Sequence, residues 1–220
     1  MLYLAIVSLI WAFSFGLIGS SLSDVDPFLV ATLRLGCATL LFLPFLRLKL
    51  ILGINSFRLF TYGAIQFGLM YVCYMKSYEY LPSHLVALFS IMTPVYVVLI
   101  NDFRKRRFSY RYLIAAVLST CGAATIKAKG IHSGDIWLGF ILMQIAGLSF
   151  AFGQIAYRDW KQSHASINHT AVFSMLTFGG TVFAGAFSLF FANQSSLAIN
   201  ACLLYTSPSP RDATLSRMPS

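Results

Sequence analysis

The chain has 220 residues, of which 58% are hydrophobic, 15% aromatic and only 10% charged, with a formal net charge of +9 and a mean hydropathy of +0.74. A soluble domain carries roughly 25% charged residues, so this composition excludes a water-soluble enzyme, a disordered chain and a disulfide-rich secreted module. It points to an all-α integral membrane protein, a multi-span helical bundle whose partner is the lipid bilayer.

Seven apolar segments follow in chain order, at Leu2 to Leu22, Phe28 to Leu46, Leu59 to Tyr78, Leu85 to Ile100, Tyr110 to Ile126, Ile136 to Tyr157 and Ala171 to Ala192. At 1.5 Å per residue each can cross a hydrocarbon core about 30 Å thick, with some tilt or local thinning of the bilayer. Their apolar character is continuous, whereas lipid-facing barrel strands would alternate over about ten residues. The first segment lacks a positively charged leader and a small-residue cleavage site, so it is expected to be a true span rather than a signal peptide. Short connections such as SLSDVDP, GINSF and EYLPS make consecutive spans antiparallel neighbours.

Basic residues are placed unevenly. Arg47, Lys49, Arg58, Arg104, Lys105, Arg106, Arg107, Arg111, Arg158 and Lys161 fall in loops on one side, and Lys76, Lys127 and Lys129 on the other. The positive-inside rule makes the first side cytoplasmic, and with it the N-terminus. The cluster RKRR at 104–107 serves as a topology anchor or attracts anionic lipid, and no nucleic-acid partner is needed to explain the charge. Cys37, Cys73, Cys121 and Cys202 lack CxxC spacing and read as small hydrophobes, with no metal or cofactor expected.

Several polar or aromatic residues inside the spans are candidates for substrate binding. Arg34 lies about six residues, roughly 9 Å, into the second span, where a charge is costly unless it is paired or faces a wet cavity. It is a candidate partner for a carboxylate or phosphate, or a gating contact for Asp24 or Asp26; structural pairing or snorkelling is the alternative. Trp11, Tyr71, Tyr74 and Tyr96 are aromatic candidates. Tyr71, Tyr74 and Tyr78 share one helix face through i, i+3 and i, i+4 spacing, which suits either an amphipathic pocket or ordinary packing. Gln66, Gln144 and Gln154 are interhelical glue or cavity lining. Pro94 removes a backbone hydrogen bond within the fourth span, and the resulting kink is a candidate gate or a static bend. Gly16, Gly19, Gly63, Gly68, Gly179 and Gly180 offer close-contact surfaces between helices. No carboxylate sits mid-span, since Glu79 lies at the outer end of span three and Asp102 and Asp159 at the cytoplasmic rim.

The sixth span echoes the first. Setting Trp11 and Ala12 against Phe150 and Ala151 also aligns Leu9 with Leu148 and Phe13 with Phe152. A second unit starting after five spans would be inverted relative to the first, a construction common in secondary transporters. The opening LIWAFSFGLI, the run FLVATLRLGCATLLFLPF, the stretch YMKSYEYLPSHLVALFSIMTPVYVVL and FRKRRFSYRYLIAAVLSTCGAATI together resemble the EamA-domain branch of the drug/metabolite transporter superfamily. That resemblance implies ten spans in two five-helix repeats. Residues 1–130 would be the first repeat and residues 131–201 an incomplete second with two spans. It further implies a secondary transporter, an exporter of small organic metabolites such as amino acids, amines or carboxylates, working by alternating access in the inner membrane.

From Cys202 onward the string CLLYTSPSPRDATLSRMPS resembles one reading frame of a transposase-based sequencing adaptor. Residues 202–220 are therefore expected to be non-native, and spans eight to ten to be missing. Such a chain is expected neither to transport nor to fold stably alone. The alternatives are a membrane-embedded enzyme and a seven-helix receptor. No HExxH, GxSxG or paired-aspartate pattern supports catalysis, so no catalytic residue is named. A receptor would expect the N-terminus outside.

Overall fold

A bilayer offers the backbone no water, so each apolar run satisfies its amides within its own segment and becomes a helix. The computed structural model describes residues 2–21, 26–46, 54–106, 110, 114, 117–118, 136–164 and 167–191. Among these, all regular structure is helical. The elements are α1 (Leu2–Ser21), α2 (Pro27–Phe42) with a 3-10 turn at Leu43–Phe45, α3 (residues 54–77), α4 (Ser83–Ser90), α5 (Thr93–Lys105), α6 (Ile136–Ser163) and α7 (His169–Phe191). Helix α3 is α-helical over Ile54–Gly63 and Met70–Ser77 and widens to a π-helix over Ala64–Leu69.

Among the described residues, four stretches are long and apolar enough to cross a membrane: Pro27–Phe45, Ser83–Lys105, Ile136–Ser163 and His169–Phe191. The protein is thus an all-α, multi-span membrane protein. Ala5–Gly16 in α1 is a shorter apolar helix. The expected fifth span lies almost wholly outside the described residues, as do Asp24, the junction between the expected repeats and residues 202–220.

Local chemistry sets the helix ends. Asp26 caps α2, its Oδ1 accepting from the backbone N–H of Phe28 at 2.9 Å and of Leu29 at 3.3 Å, with Pro27 in the first turn. Pro at this position forfeits no helical hydrogen bond, because the first N–H groups have no intrahelical acceptor. Pro94 plays the same part at the start of α5. The fourth expected span is accordingly two helices separated by a turn at residues 91–92 rather than one kinked rod. Helix α5 ends at Arg106, which adopts a left-handed conformation with φ 49°.

Helix α7 is the central element, packed against α2 and α3. Four of the expected glycines explain how closely α3 and α7 approach. A Cβ on Gly63 would strike the Leu176 backbone, and one on Gly179 would strike the Phe60 carbonyl. A Cβ on Gly68 would lie 2.7 Å from Phe183 Cβ, and one on Gly180 would lie 2.8 Å from Phe67 Cβ. Gly16 has no such neighbour, and the surroundings of Gly19 lie outside the described residues. Lipid is as apolar as a leucine core, so this close packing and interhelical hydrogen bonds hold the helices together. Thr39 and Thr181 supply one such bond between α2 and α7, at 2.7 Å.

Buried Leu59, Trp160, Val172, Met175 and Leu176 join α3, α6 and α7 at one end. Ile18, Val30, Ala31 and Met75 join α1, α2 and α3 at the other. Outward-facing Leu33, Leu40, Trp137, Leu189 and Phe190 are exposed, as a lipid-facing surface requires. At the ends of α5 and α6, Arg104 pairs with Asp159 at 3.2 Å and Arg158 donates to Asn101 Oδ1 at 2.8 Å.

Candidate functional site

Six elements converge on a half-enclosed cavity of about 300 Å³. Helix α1 contributes Ile10, Trp11, Ser14 and Phe15; α2 contributes Arg34; and α3 contributes Met70, Tyr71 and Tyr74. Ser90 and Thr93 enter from either side of the break between α4 and α5, and α6 supplies Met143, Ala146, Gly147 and Phe150. The volume is at the lower end of the range for small-molecule sites, and the mixture of apolar walls with a few convergent polar groups is the usual composition of one.

Arg34 is half-buried. Its guanidinium carbon sits 5.5 Å from the Tyr71 ring centroid, and its Nη2 donates to Ser14 Oγ over 3.4 Å. Both neighbours line the cavity, so the charge is held against the wall by a cation–π contact and one long hydrogen bond. Asp26, weighed above as a gating partner, is instead the cap of α2, two helical turns away.

The tyrosine face of α3 forms as the spacing requires. Tyr71 and Tyr74 meet edge to face at 6.2 Å, Tyr74 and Tyr78 at 5.3 Å, and the last two hydroxyls share a 2.9 Å hydrogen bond. Phe15 links this face to Trp11, with centroids 6.1 Å from Tyr74 and 6.5 Å from Trp11. The cavity therefore has an aromatic wall that continues across α1 and α3.

Of the residues singled out in the sequence, the cavity gathers Trp11, Arg34, Tyr71 and Tyr74. Tyr96 stands just behind its wall. The Tyr96 ring lies near cavity-lining Gly147, where an added Cβ would be 3.2 Å from it, and its hydroxyl donates to Gln144 Oε1, tying α5 to α6. Gln66 is elsewhere: it is 5% exposed, sits in the π-helical turn against Gly153 of α6, and its Oε1 is buried without a hydrogen-bond partner among the described residues. It packs between α3 and α6, one turn from Met70, and does not line the cavity. Pro94 adjoins Thr93 at the break, and Gln154 is exposed.

Sequence reasoning passed over Ser14, Ser90, Thr93 and Phe150. For Phe150 a signal was present, since the internal echo sets it against Trp11, and both line the cavity. Ser14 follows Trp11 by three residues and so shares its helix face. The hydroxyls of Ser90 and Thr93 donate to the carbonyls of Ala87 and Ser90, at 2.7 and 2.8 Å. Their oxygens still have acceptor capacity at the cavity.

Comparison with known proteins gives the following. Residues 1–127 match the family described as the EamA-like transporter family. The chain is 40% identical over 167 residues to a probable biotin transporter of Pseudomonas aeruginosa, covering 76% of this chain and 58% of that protein. It is 35% identical over 176 residues to the biotin transporter of Salmonella typhimurium, covering 78% and 58% respectively. It is 34% identical over 177 residues to the biotin transporter of Escherichia coli K12, with the same two coverages. The chain thus spans less than two thirds of the length of these relatives. No solved structure matches it.

Proposed function

Because the chain belongs to the EamA-like transporter family, we propose that it is part of a secondary transporter that moves a small organic metabolite across the inner membrane by alternating access. Membership of a transporter family sets the enzyme and receptor alternatives aside. The proposal includes seven crossings within residues 1–201, a first repeat over 1–130, a partial second repeat over 131–201 and a cytoplasmic N-terminus.

The observation that carries the reading is the cavity. It lies between α1, α2 and α3 on one side and the α4–α5 break with α6 on the other, so it adjoins both expected repeats, where transporters of inverted architecture hold their solute. Trp11, Arg34, Tyr71 and Tyr74 are proposed to contact the solute directly. Tyr96 supports the wall, Gln66 sits one turn beyond the cavity along α3, and the break at Pro94 is the proposed flexing point.

The biotin relatives suggest the solute. Biotin joins a compact ring with a neutral ureido group to an alkyl chain ending in a carboxylate. The aromatic wall suits the ring, the hydroxyls of Ser14, Ser90 and Thr93 suit the ureido group, and Arg34 suits the acid.

Binding tests this without requiring a complete transport cycle. Biotin titrated into the purified chain should quench tryptophan fluorescence saturably, and Trp11→Phe should abolish the change while leaving the Trp137 and Trp160 signals. A flat titration in the unmodified chain refutes biotin as the solute. Labelled biotin in vesicles carrying the chain with a full-length relative reads direction from the side on which label accumulates.

A further inference from the structure

We propose that Arg34 is a carboxylate anchor that restricts the cavity to small organic anions bearing one carboxylate and excludes amines. This rests on the cavity being the solute site and narrows what the site takes.

Charge bookkeeping within the described residues leads there. Arg34 is the one charged side chain among the residues that line the cavity. It lies eight residues beyond the Asp26 cap, roughly 12 Å along α2, where an uncompensated cation is costly. No carboxylate among the described residues is within ion-pair distance of it. Asp26 Oδ1 caps α2, Glu79 pairs with Lys76 at 2.6 Å, Asp102 sits near the end of α5 and accepts from Asn101, and Asp159 pairs with Arg104 and Arg158 at the far rim.

The guanidinium is also prepared for a ligand. Its central carbon lies 5.5 Å from the Tyr71 ring centroid and Ser14 accepts one N–H over 3.4 Å, which leaves its other donors for a ligand. A guanidinium has five N–H donors in a fork that matches the two oxygens of a carboxylate. One charge in the lining is neutralised by one carboxylate. A dicarboxylate or a phosphate dianion would bring a second charge with no partner, and an amine would face a like charge in a low-dielectric site. Selection against these solutes therefore follows from the same residue that attracts the acid.

Calorimetric titration of the 220-residue chain in detergent with biotin, biotin methyl ester, lipoate and hexylamine tests this, alongside Arg34→Gln and Arg34→Lys. The unmodified chain should bind biotin at least about tenfold more tightly than its ester, and hexylamine not measurably. Arg34→Gln should weaken biotin about tenfold to hundredfold, the range for hydrogen bonds to a charged group, and leave the ester nearly unchanged. Arg34→Lys should restore part of the acid preference, because charge returns without the fork. Equal binding of acid and ester by the unmodified chain overturns the anchor, even if Arg34→Gln fails to fold. An acid preference that survives in a folded Arg34→Gln overturns it as well. Arg34-dependent binding of lipoate without biotin supports the anchor and overturns biotin as the solute. Binding of neither acid overturns both.

Discussion

Replacing Gly180 by Ala should destabilise the bundle, whereas the same change at Gly185, five residues along α7, should stabilise it. In a helix interior Ala is favoured over Gly by about 1 kcal/mol at either site. The surroundings differ. At Gly180 the added Cβ would lie 2.8 Å from Phe67 Cβ and 3.3 Å from the Gly63 carbonyl oxygen, whereas non-bonded carbons prefer about 3.5–4.0 Å. Helices α3 and α7 would have to part by close to 1 Å, loosening the contacts of Gly63, Gly68 and Gly179 along the same crossing. Overpacking of this kind costs about 1–3 kcal/mol, which outweighs the propensity gain. At Gly185 the nearest atom to the new Cβ is Thr32 Cγ2 at 3.8 Å, an ordinary contact, so the propensity gain survives. The two variants should differ by about 2 kcal/mol, or roughly 4–8 °C in midpoint for a chain of this size. Thermal unfolding in one detergent reads this through the reaction of buried Cys73 with a fluorogenic maleimide, with the other cysteines changed to serine. A Gly180→Ala midpoint equal to or above that of Gly185→Ala would refute the close-packing argument.

The rim contacts between α5 and α6 should be weak and screened by salt. Asp159→Asn, which removes the partner of half-exposed Arg104 and Arg158, should cost under about 1 kcal/mol at low ionic strength, and thermal midpoints at high salt should no longer separate it from the parent. The proposed orientation predicts that a fluorescent reporter fused after Arg106 is active in the cytoplasm and alkaline phosphatase fused there is inactive. The opposite pattern would invert the topology.

The features legible in the sequence are those that depend on runs and ends. Helix positions follow from long apolar stretches, the break before α2 from the short connection SLSDVDP, and the glycines mark close-contact surfaces without saying which helices meet there. The tyrosine face of α3 was legible because it lies within one helix. Which residues share the cavity was decided only by tertiary structure. In water a helix advertises its buried face by amphipathicity, but in lipid both the packed and the lipid-facing sides are apolar, so nothing in the pattern turns Met143 or Ala146 inward. Gln66 shows the same ambiguity: a polar residue within a span can be lining or packing, and the π-helical turn and Gly153 put it in the packing. Arg34 stood out in the sequence because charge in a span is rare. That it rests on Tyr71 and Ser14, with no acid beside it among the described residues, follows from how α1, α2 and α3 meet.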